Sequence, residues 1–410
     1  MIWIVSKYAS LPKYGPASRL FFLAKYFNKQ KKTILITSDS NHIAKYPPTN
    51  KRHNKEIIEN VEVHWIKTFK YKKTFSIKRI ISWIDFEIGL FTLNKKIQKK
   101  PEIIIISSLS LFSIIFGYYM KIKYKSFLVF EIRDIWPLTL ISESKYSKLH
   151  PAVIFLSMIE KFGYRNSDLI TGTMPKLNVH VKKTIGYEKD FLCSPIGYDP
   201  SQFDNIDSLS EKILSKFPEN KIVVGYAGSL SVSNSIGILI KVIKSLSHNS
   251  NIHFMLVGSG DYKKQLEEEC KYLRNVSILD KIPFREVNSF LKKCDILYLS
   301  TSKTEIWEYG QSMNKLLEYM IAGKPIVASY SGYPSMLNEA QSGLFVDVDK
   351  IEEVVSAILY YSKLSSKERH SIGNKGSNWV SENRSYKTLA DEYLLKVNKL
   401  IESNRDKKTV

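Results

Sequence analysis

The chain has 410 residues, 44% of them apolar and 12% aromatic, which is enough for two packed cores of about 150 to 200 residues each. Gly and Pro are too scarce for a disordered chain, and three scattered cysteines, Cys193, Cys270 and Cys294, exclude a disulfide framework or a cysteine metal site and fit a reducing compartment. The formal net charge is +21, and it is lopsided: residues 1–200 hold 33 Lys/Arg against 15 Asp/Glu, the remainder 28 against 25. A basic first half implies an anionic partner, whether membrane headgroups, nucleic acid or a phosphorylated substrate; a general lysine bias is the alternative.

The start, "MIWIVSKYASLPKYGP", reads as a first strand and a loop rather than a signal peptide, and no run approaches the ~20 apolar residues of a spanning helix. A cytoplasmic location is expected. Short apolar runs then alternate with helical patterns: 2–5, 33–37, 61–66, 102–107, 126–132 and 168–173, and again 221–228, 252–258, 276–279, 295–300 and 325–329. Such alternation predicts α/β architecture with parallel sheets covered by helices. The Pro/Gly/Asp-rich stretch "CSPIGYDPSQFD" separates the two series, giving expected domains 1–193 and 194–384, with 385–410 as a closing amphipathic helix and tail.

Residues 70–100 stand apart, with nine Lys/Arg and two acids around an apolar stretch. Ile77, Ile80, Ile81, Ile84, Ile88 and Phe91 recur at helical spacing, and Trp83, Phe86 and Leu90 widen the stripe. This pattern suits a helix lying in a membrane interface, or a core helix with solvated basic ends. No nucleic-acid module is recognisable.

In open α/β sheets ligands bind beyond the carboxyl ends of the strands, so the loops that follow strands hold the candidates. The first, "YGPASRLFFLAKYF", offers Gly15 for close backbone approach and Arg19 for an anion. The second, "YAGSLSVSNSIG", brings Gly228, Ser229, Ser231, Ser233 and Asn234 to a helix start, where amides and hydroxyls suit phosphate oxygens, or where Ser233 or Ser235 merely caps the helix. It matches neither the phosphate loop ending in Gly-Lys-Ser/Thr nor the dinucleotide fingerprint. In "VGSGDYKK", Gly258 and Gly260 are expected to pack close to a ligand, and "LDKIPFREV", with Ile282, offers backbone groups to a flat base or is an ordinary turn.

The richest stretch is "GQSMNKLLEYMIAGKP", 310–325. Met313, Leu316, Leu317, Met320 and Ile321 define one buried face; Ser312 is the expected N-cap, and Gly323 with Pro325 the stop. Asn314, Lys315 and Glu318 are left on the other side. A lysine in the first turn is disfavoured by the helix dipole by some ~0.3 to 1 kcal/mol, which an anion bound there would relieve. Glu318, one turn on, can accept from two adjacent hydroxyls, as on a ribose. The competing reading is a surface Lys/Glu pair worth ~0.2 to 0.5 kcal/mol.

Taken in order, "FEIRDIWP", "SPIGYDPSQF", "VGYAGSL", "NKLLEYMIAGKPIVAS" and "SGLFVDVDKIEEV" resemble the retaining glycosyltransferases of family 4, closest to the bacterial O-antigen and capsule branch that includes L-fucosamine transferases. The resemblance covers nearly the whole chain. It implies a GT-B fold: two Rossmann-like domains facing a cleft, an acceptor-binding first domain, a second domain for a nucleotide-sugar, usually a UDP-sugar, and a C-terminal helix crossing back to the first. It further implies that Glu318 binds ribose, that Lys315 and Lys303 stand by the diphosphate, and that Gly228, Ser229, Gly258, Ile282 and Asn314 complete the donor site. Gly15 and Arg19 would line the cleft, with Asp134 near the acceptor or the transferred sugar. Two positions depart from the family pattern. Gly310 occupies the first of two glutamates usually spaced around seven residues, and Ser233 with Asn234 stand where Arg and Lys are common; Lys303, Glu305 and Glu308 lie in the same loop as Gly310.

The expected function is therefore retaining transfer from a nucleotide-sugar to a polyprenyl-diphosphate-linked glycan, by an enzyme peripheral on the inner face of the cell membrane and held by anionic lipid. No cofactor and no metal is expected, since no strand-end Asp-x-Asp motif is present and Lys303, Lys315 and loop amides would stabilise the diphosphate. The rival readings are a nucleotide-sugar epimerase of the same fold and a non-catalytic basic protein binding membrane or nucleic acid.

Overall fold

The computed structural model describes residues 1–15, 18–40, 49–71, 76–108, 110–144, 146–202 and 206–409, apart from the side chains of Ser233 and of 407–409. Part of the basic segment, 72–75, and the side chain of Ser233 as a capping or phosphate-binding group thus lie outside the described residues. The chain separates into two compact units, Met1–Asp199 with Ser385–Val410, and Pro200–Arg384.

The first unit runs β1 (Ile2–Val5), α1 (Arg19–Phe27), β2 (Thr33–Ser38), β3 (His53–Ile58), β4 (Val61–Ile66), α2 (Ile77–Lys96), β5 (Ile103–Ser107), α3 (Ser113–Tyr124), β6 (Phe127–Ile132), α4 (Leu138–Ser144), α5 (Pro151–Asn166), β7 (Leu169–Gly172), α6 (Leu177–Ile185) and β8 (Phe191–Cys193). Its eight strands are ordered β3-β4-β2-β1-β5-β6-β7-β8. The pairings are parallel except β3 with β4, so the expectation of a purely parallel sheet is corrected at this edge. The reason is local: Glu59 and Asn60 both take positive φ, 46° and 64°, and so close a two-residue hairpin that returns the chain antiparallel.

The second unit runs α7 (Glu211–Leu214), β9 (Ile222–Ala227), α8 (Ile236–Ser245), β10 (Ile252–Val257), α9 (Lys263–Cys270), β11 (Val276–Leu279), α10 (Phe284–Lys293), β12 (Ile296–Ser300), α11 (Asn314–Ile321), β13 (Ile326–Ser329), α12 (Leu337–Ala340), β14 (Gly343–Val346), α13 (Ile351–Lys363) and α14 (Ser366–Asn383). The strand order β11-β10-β9-β12-β13-β14 is that of a doubly wound sheet whose winding reverses between β9 and β12. Short parallel strands of this kind are covered on both faces, which is why β10, β12 and β13 read as uninterrupted apolar runs with every residue buried.

The last helix, α15 (Tyr386–Thr409), returns to the first unit and packs on α1. Tyr386 stacks on Phe22 at 5.2 Å and Tyr393 lies 5.3 Å from Phe27. Both join the cluster built from Ile2, Ile4, Leu35, Val63 and Val129, so α1 and α15 cover one face of the first sheet. The opposite face carries α2, α3 and α5, whose Gly89, Gly117 and Gly163 lie against Ile66, Ile106 and Phe130.

Candidate functional site

In the second unit the reversal between β9 and β12 brings three loops together. The loop after β9 is fixed from several sides: Tyr226 Oη donates to Ser229 O at 2.7 Å, and Asn234 Nδ2 donates to the same carbonyl at 3.1 Å. Ser300 Oγ, at the end of β12, donates to Asn234 O at 2.6 Å. From α11, Tyr319 Oη accepts from Ala227 N and donates to Ala227 O. The amides of Gly228 and Leu230 are used inside the unit, donating to Val257 O and Ser259 O. The Ser229 amide, like that of Val232, has no acceptor among the described residues.

Glycine is required here by proximity. A Cβ on Gly228 would come within 2.6 Å of Lys315 Cε, and one on Gly258 within 1.9 Å of Gly228 O, so Gly258 packs against the loop itself and only indirectly against anything the loop holds.

Lys315 Nζ donates to Tyr226 Oη at 3.0 Å and to Asn234 Oδ1 at 2.9 Å, and lies 4.6 Å from the centroid of the Tyr226 ring. The neutral amide of Asn234 thus faces the ammonium at a place where a second cation would repel it. Burial lowers Lys315 from the usual lysine range to about 8, opposed by Glu318. Burial likewise pushes Glu318 up to about 7, opposed by Lys315. Lys315 thus bonds to Tyr226 and Asn234 rather than pairing directly with Glu318, so a simple surface Lys/Glu pair does not describe the arrangement.

The N-cap of α11 is Met313, one residue later than expected, and Gln311 Oε1 accepts from Met313 N; the Met313 side chain itself makes no capping hydrogen bond. Asn314 opens the helix and is exposed. Glu318 also forms part of the wall of a small cavity of 40 Å³ between Gln202 and Ile206 on one side and Phe284, Arg285 and Asn288 on the other. That space holds a few waters at most, but Phe284 is 64% exposed and extends the wall outward. Ile282, just before it, is buried, so only its main chain can meet a ligand.

Lys303 is engaged elsewhere: its ammonium pairs with Asp349, both groups well exposed. In the same loop Gly310 sits at φ 96°, ψ −177°. That region is open essentially to glycine alone, so the glutamate usual at this place in the family pattern does not fit this backbone.

In the first unit, Arg19 differs from expectation for a clear reason. Its guanidinium is buried, bonded to Glu131 Oε2 at 2.8 Å, Ser194 O at 2.6 Å, Ser194 Oγ at 3.0 Å and Pro195 O at 3.2 Å, and so is committed to the interior rather than offered to an anion. Gly15 is half-buried at the end of the loop after β1, and Pro16 beyond it lies outside the described residues. Asp134 follows β6; its carboxylate has no hydrogen bond or ion pair among the described residues, and burial raises it above the usual range against the opposing pull of Arg133. Residues not singled out in the sequence, Tyr226, Tyr319, Ser300, Phe284 and Arg285, turn out to shape the site. Only for Tyr226 and Ser300, at the carboxyl ends of recognisable strands, did position supply a signal.

The sequence model of the family described as "Glycosyl transferases group 1" matches residues 221–363, which contain this cluster. An "Uncharacterized glycosyltransferase" of Methanocaldococcus jannaschii is 26% identical over 155 residues, 37% of this chain and 41% of that protein; the match therefore spans well under half of the relative. Among solved structures, a sucrose-phosphate synthase from Thermosynechococcus elongatus superposes with a TM-score of 0.72 at 13% identity, over 98% of this chain and 99% of that one. A trehalose-6-phosphate enzyme from E. coli, bound with UDP-2-fluoro glucose, gives 0.71 at 14% identity, over 97% and 98%. Anabaena HepE, in complex with UDP and glucose, gives 0.62 at 14%, over 97% and 99%. The fold is that of the GT-B glycosyltransferases, and the similarity to the group 1 family lies within residues 221–363.

Proposed function

We propose that this protein is a retaining glycosyltransferase that moves a hexosyl or N-acetylhexosaminyl group from a UDP-sugar to a lipid-linked glycan, carried on a polyprenyl diphosphate, in the assembly of bacterial O-antigen or capsule at the inner face of the cell membrane. The observation that carries the reading is the arrangement of Lys315 and Glu318 at the sheet reversal, in the first two turns of α11 and close to the loop after β9. Two structures of the same fold are complexes with UDP-2-fluoro glucose and with UDP and glucose, which supports a nucleotide-sugar donor here.

In this reading the diphosphate lies over the start of α11. Lys315 exchanges Tyr226 and Asn234 for phosphate oxygens, the Ser229 amide donates to the same group, and Glu318 accepts from the two ribose hydroxyls. The base rests against the wall extended by Phe284, with the Ile282 main chain as its polar contact. Asn314 adds a donor at the helix start, and Gly258 keeps the loop after β9 in place. Lys303 reaches the donor only after leaving Asp349.

When the anomeric C–O bond breaks, the bonding pair leaves on the phosphate oxygen, where Lys315 and the helix amides stabilise it. The acceptor hydroxyl oxygen bonds to the anomeric carbon from the same side, and its proton passes to the departing phosphate. Asp134 and Gly15 belong to the acceptor side, Arg19 only as a support for the strand ends.

The test is nucleotide release by purified protein across a panel of nucleotide-sugars with polyprenyl-diphosphate-linked glycans. Acceptor-dependent release of UDP is expected. No turnover together with no nucleotide binding refutes the reading, and acceptor-independent conversion of the donor to its epimer replaces it with the epimerase.

A further inference from the structure

The helical layer on the second face of the first sheet has an outer surface of unusual character. On α2 the residues turned inward are Ser82, Phe86, Gly89, Leu90, Leu93 and Asn94. The isoleucine stripe points outward instead: Ile77 is 77% exposed, Ile84 54% and Ile88 56%. The stripe continues onto the neighbouring helices. Trp83 meets Phe112 just before α3, Phe112 meets Phe155 of α5, and Phe91 meets Tyr119 of α3. Ile115 and Ile122 of α3, and Leu149, Ile154, Phe155 and Met158 at α5, are exposed as well. A contiguous apolar surface on this scale marks an interaction site.

The charge around it decides the partner. Across 76–100, 113–125 and 148–166 there are twelve Lys/Arg and three acids. All three acids are engaged: Asp85 in a half-exposed pair with Arg52, Glu87 with Ser113, and Glu160 with His180 and Tyr164. Lys78, Lys95, Lys96, Lys123, Lys148 and Lys161 remain exposed around the apolar face. Long apolar side chains ringed by lysines, with each acid in these segments already partnered, fit an anionic leaflet, into which the isoleucines insert while the lysines meet headgroups. No helix among the described residues is long and apolar enough to cross a membrane.

The orientation of the layer adds a second point. Ser82 Oγ accepts from Lys7 Nζ, and Arg79 and Trp83 both donate to Tyr8 Oη; Lys7 and Tyr8 immediately follow β1. The N-terminal half of α2 therefore borders the carboxyl ends of the first unit's strands, where an α/β sheet receives ligands. We infer that the joint outer face of α2, α3 and α5 seats the protein on an anionic phospholipid bilayer and delivers a lipid-borne acceptor to that edge without its leaving the leaflet. The delivery step rests on the transferase reading; the docking does not.

The test is co-flotation of full-length protein with vesicles of phosphatidylcholine alone, or containing about a third phosphatidylglycerol. Binding to the anionic vesicles is expected to be at least about tenfold tighter, and to weaken when salt is raised from ~0.1 to ~0.5 M. The pairs Ile81→Asp/Ile84→Asp on α2 and Phe155→Asp/Met158→Asp on α5 should each lower it about tenfold or more. Tyr272→Asp, an exposed aromatic of the second unit, should leave it unchanged. UDP affinity and turnover of a short-chain soluble acceptor should be the same in all variants, which confirms folding and keeps this result separate from the transferase reading. Failure to bind anionic vesicles, insensitivity to either aspartate pair, or a concentration-dependent dimer that the same pairs dissolve would overturn the proposal.

Discussion

In both units the sheet reverses its winding beside its first strand, and in both a lysine stands at the reversal: Lys7 after β1 and Lys315 in α11 after β12. Lys7 is fully buried, donating to Ser38 Oγ, Ser40 O and Ser82 Oγ, and burial lowers it to about 7. Lys315 has two partners, both neutral, and is only half-buried. The first has three acceptors and no access; the second has access and acceptors that can be exchanged. Topology supplies the crevice, but the number of internal acceptors decides whether its cation holds the fold or waits for a ligand.

The comparison breaks most sharply under substitution. Lys315→Ala should weaken UDP binding by about 100-fold, the loss of a charge-assisted contact worth about 3 kcal/mol, measured by titration calorimetry. Lys7→Met should leave UDP affinity within about twofold while lowering stability to urea by about 2 to 4 kcal/mol, because three buried acceptors lose their donor. If Lys7→Met also abolished UDP binding without unfolding, the distinction would fail. Next in size, Gly258→Ala should destabilise the second unit by about 1 to 3 kcal/mol, since the added methyl meets a main-chain carbonyl that has no room to yield; a thermal melt reads it.

A smaller effect, about tenfold in UDP affinity, is expected for Glu318→Gln. A donor analogue lacking the ribose hydroxyls should bind wild type and variant alike. The smallest is the pH profile. Lys315 carries its proton below about 8 and Glu318 loses its own above about 7, so UDP affinity should peak between these values. It should fall on the alkaline side as the ammonium is lost and on the acid side as the carboxylate is protonated; a monotonic profile would show that one of the two groups does not touch the nucleotide.

Much of this fold was legible because parallel strands covered on both faces must be apolar runs, as in "IHFMLVG" and "DILYLS". The strands that escaped are those this rule does not govern. β3, "HNKEII", is a half-exposed antiparallel edge whose turn residues, Glu-Asn, lack the usual glycine; β8 has three residues; β14 begins with glycine and is only partly buried. For the site, helix position picked out Lys315 and Glu318, yet spacing along α11 held nothing about their surroundings: Lys315 lies against Tyr226, about ninety residues earlier, and the loop it braces, and Glu318 beside Phe284 and Asn288. Arg19 misled for the same reason: Glu131 and Ser194, which fix it, are more than a hundred residues away. The outward isoleucines of α2 were visible as a stripe, but only the packing of Gly89 and Phe86 showed which way the stripe turned.

The backbone at Gly310 also limits how this chain can change over generations. Gly310→Glu would meet a closed conformation before the new carboxylate reached any ligand. The loop from 301 to 313 would first have to be re-laid, so the order of substitutions matters and the direct path is shut.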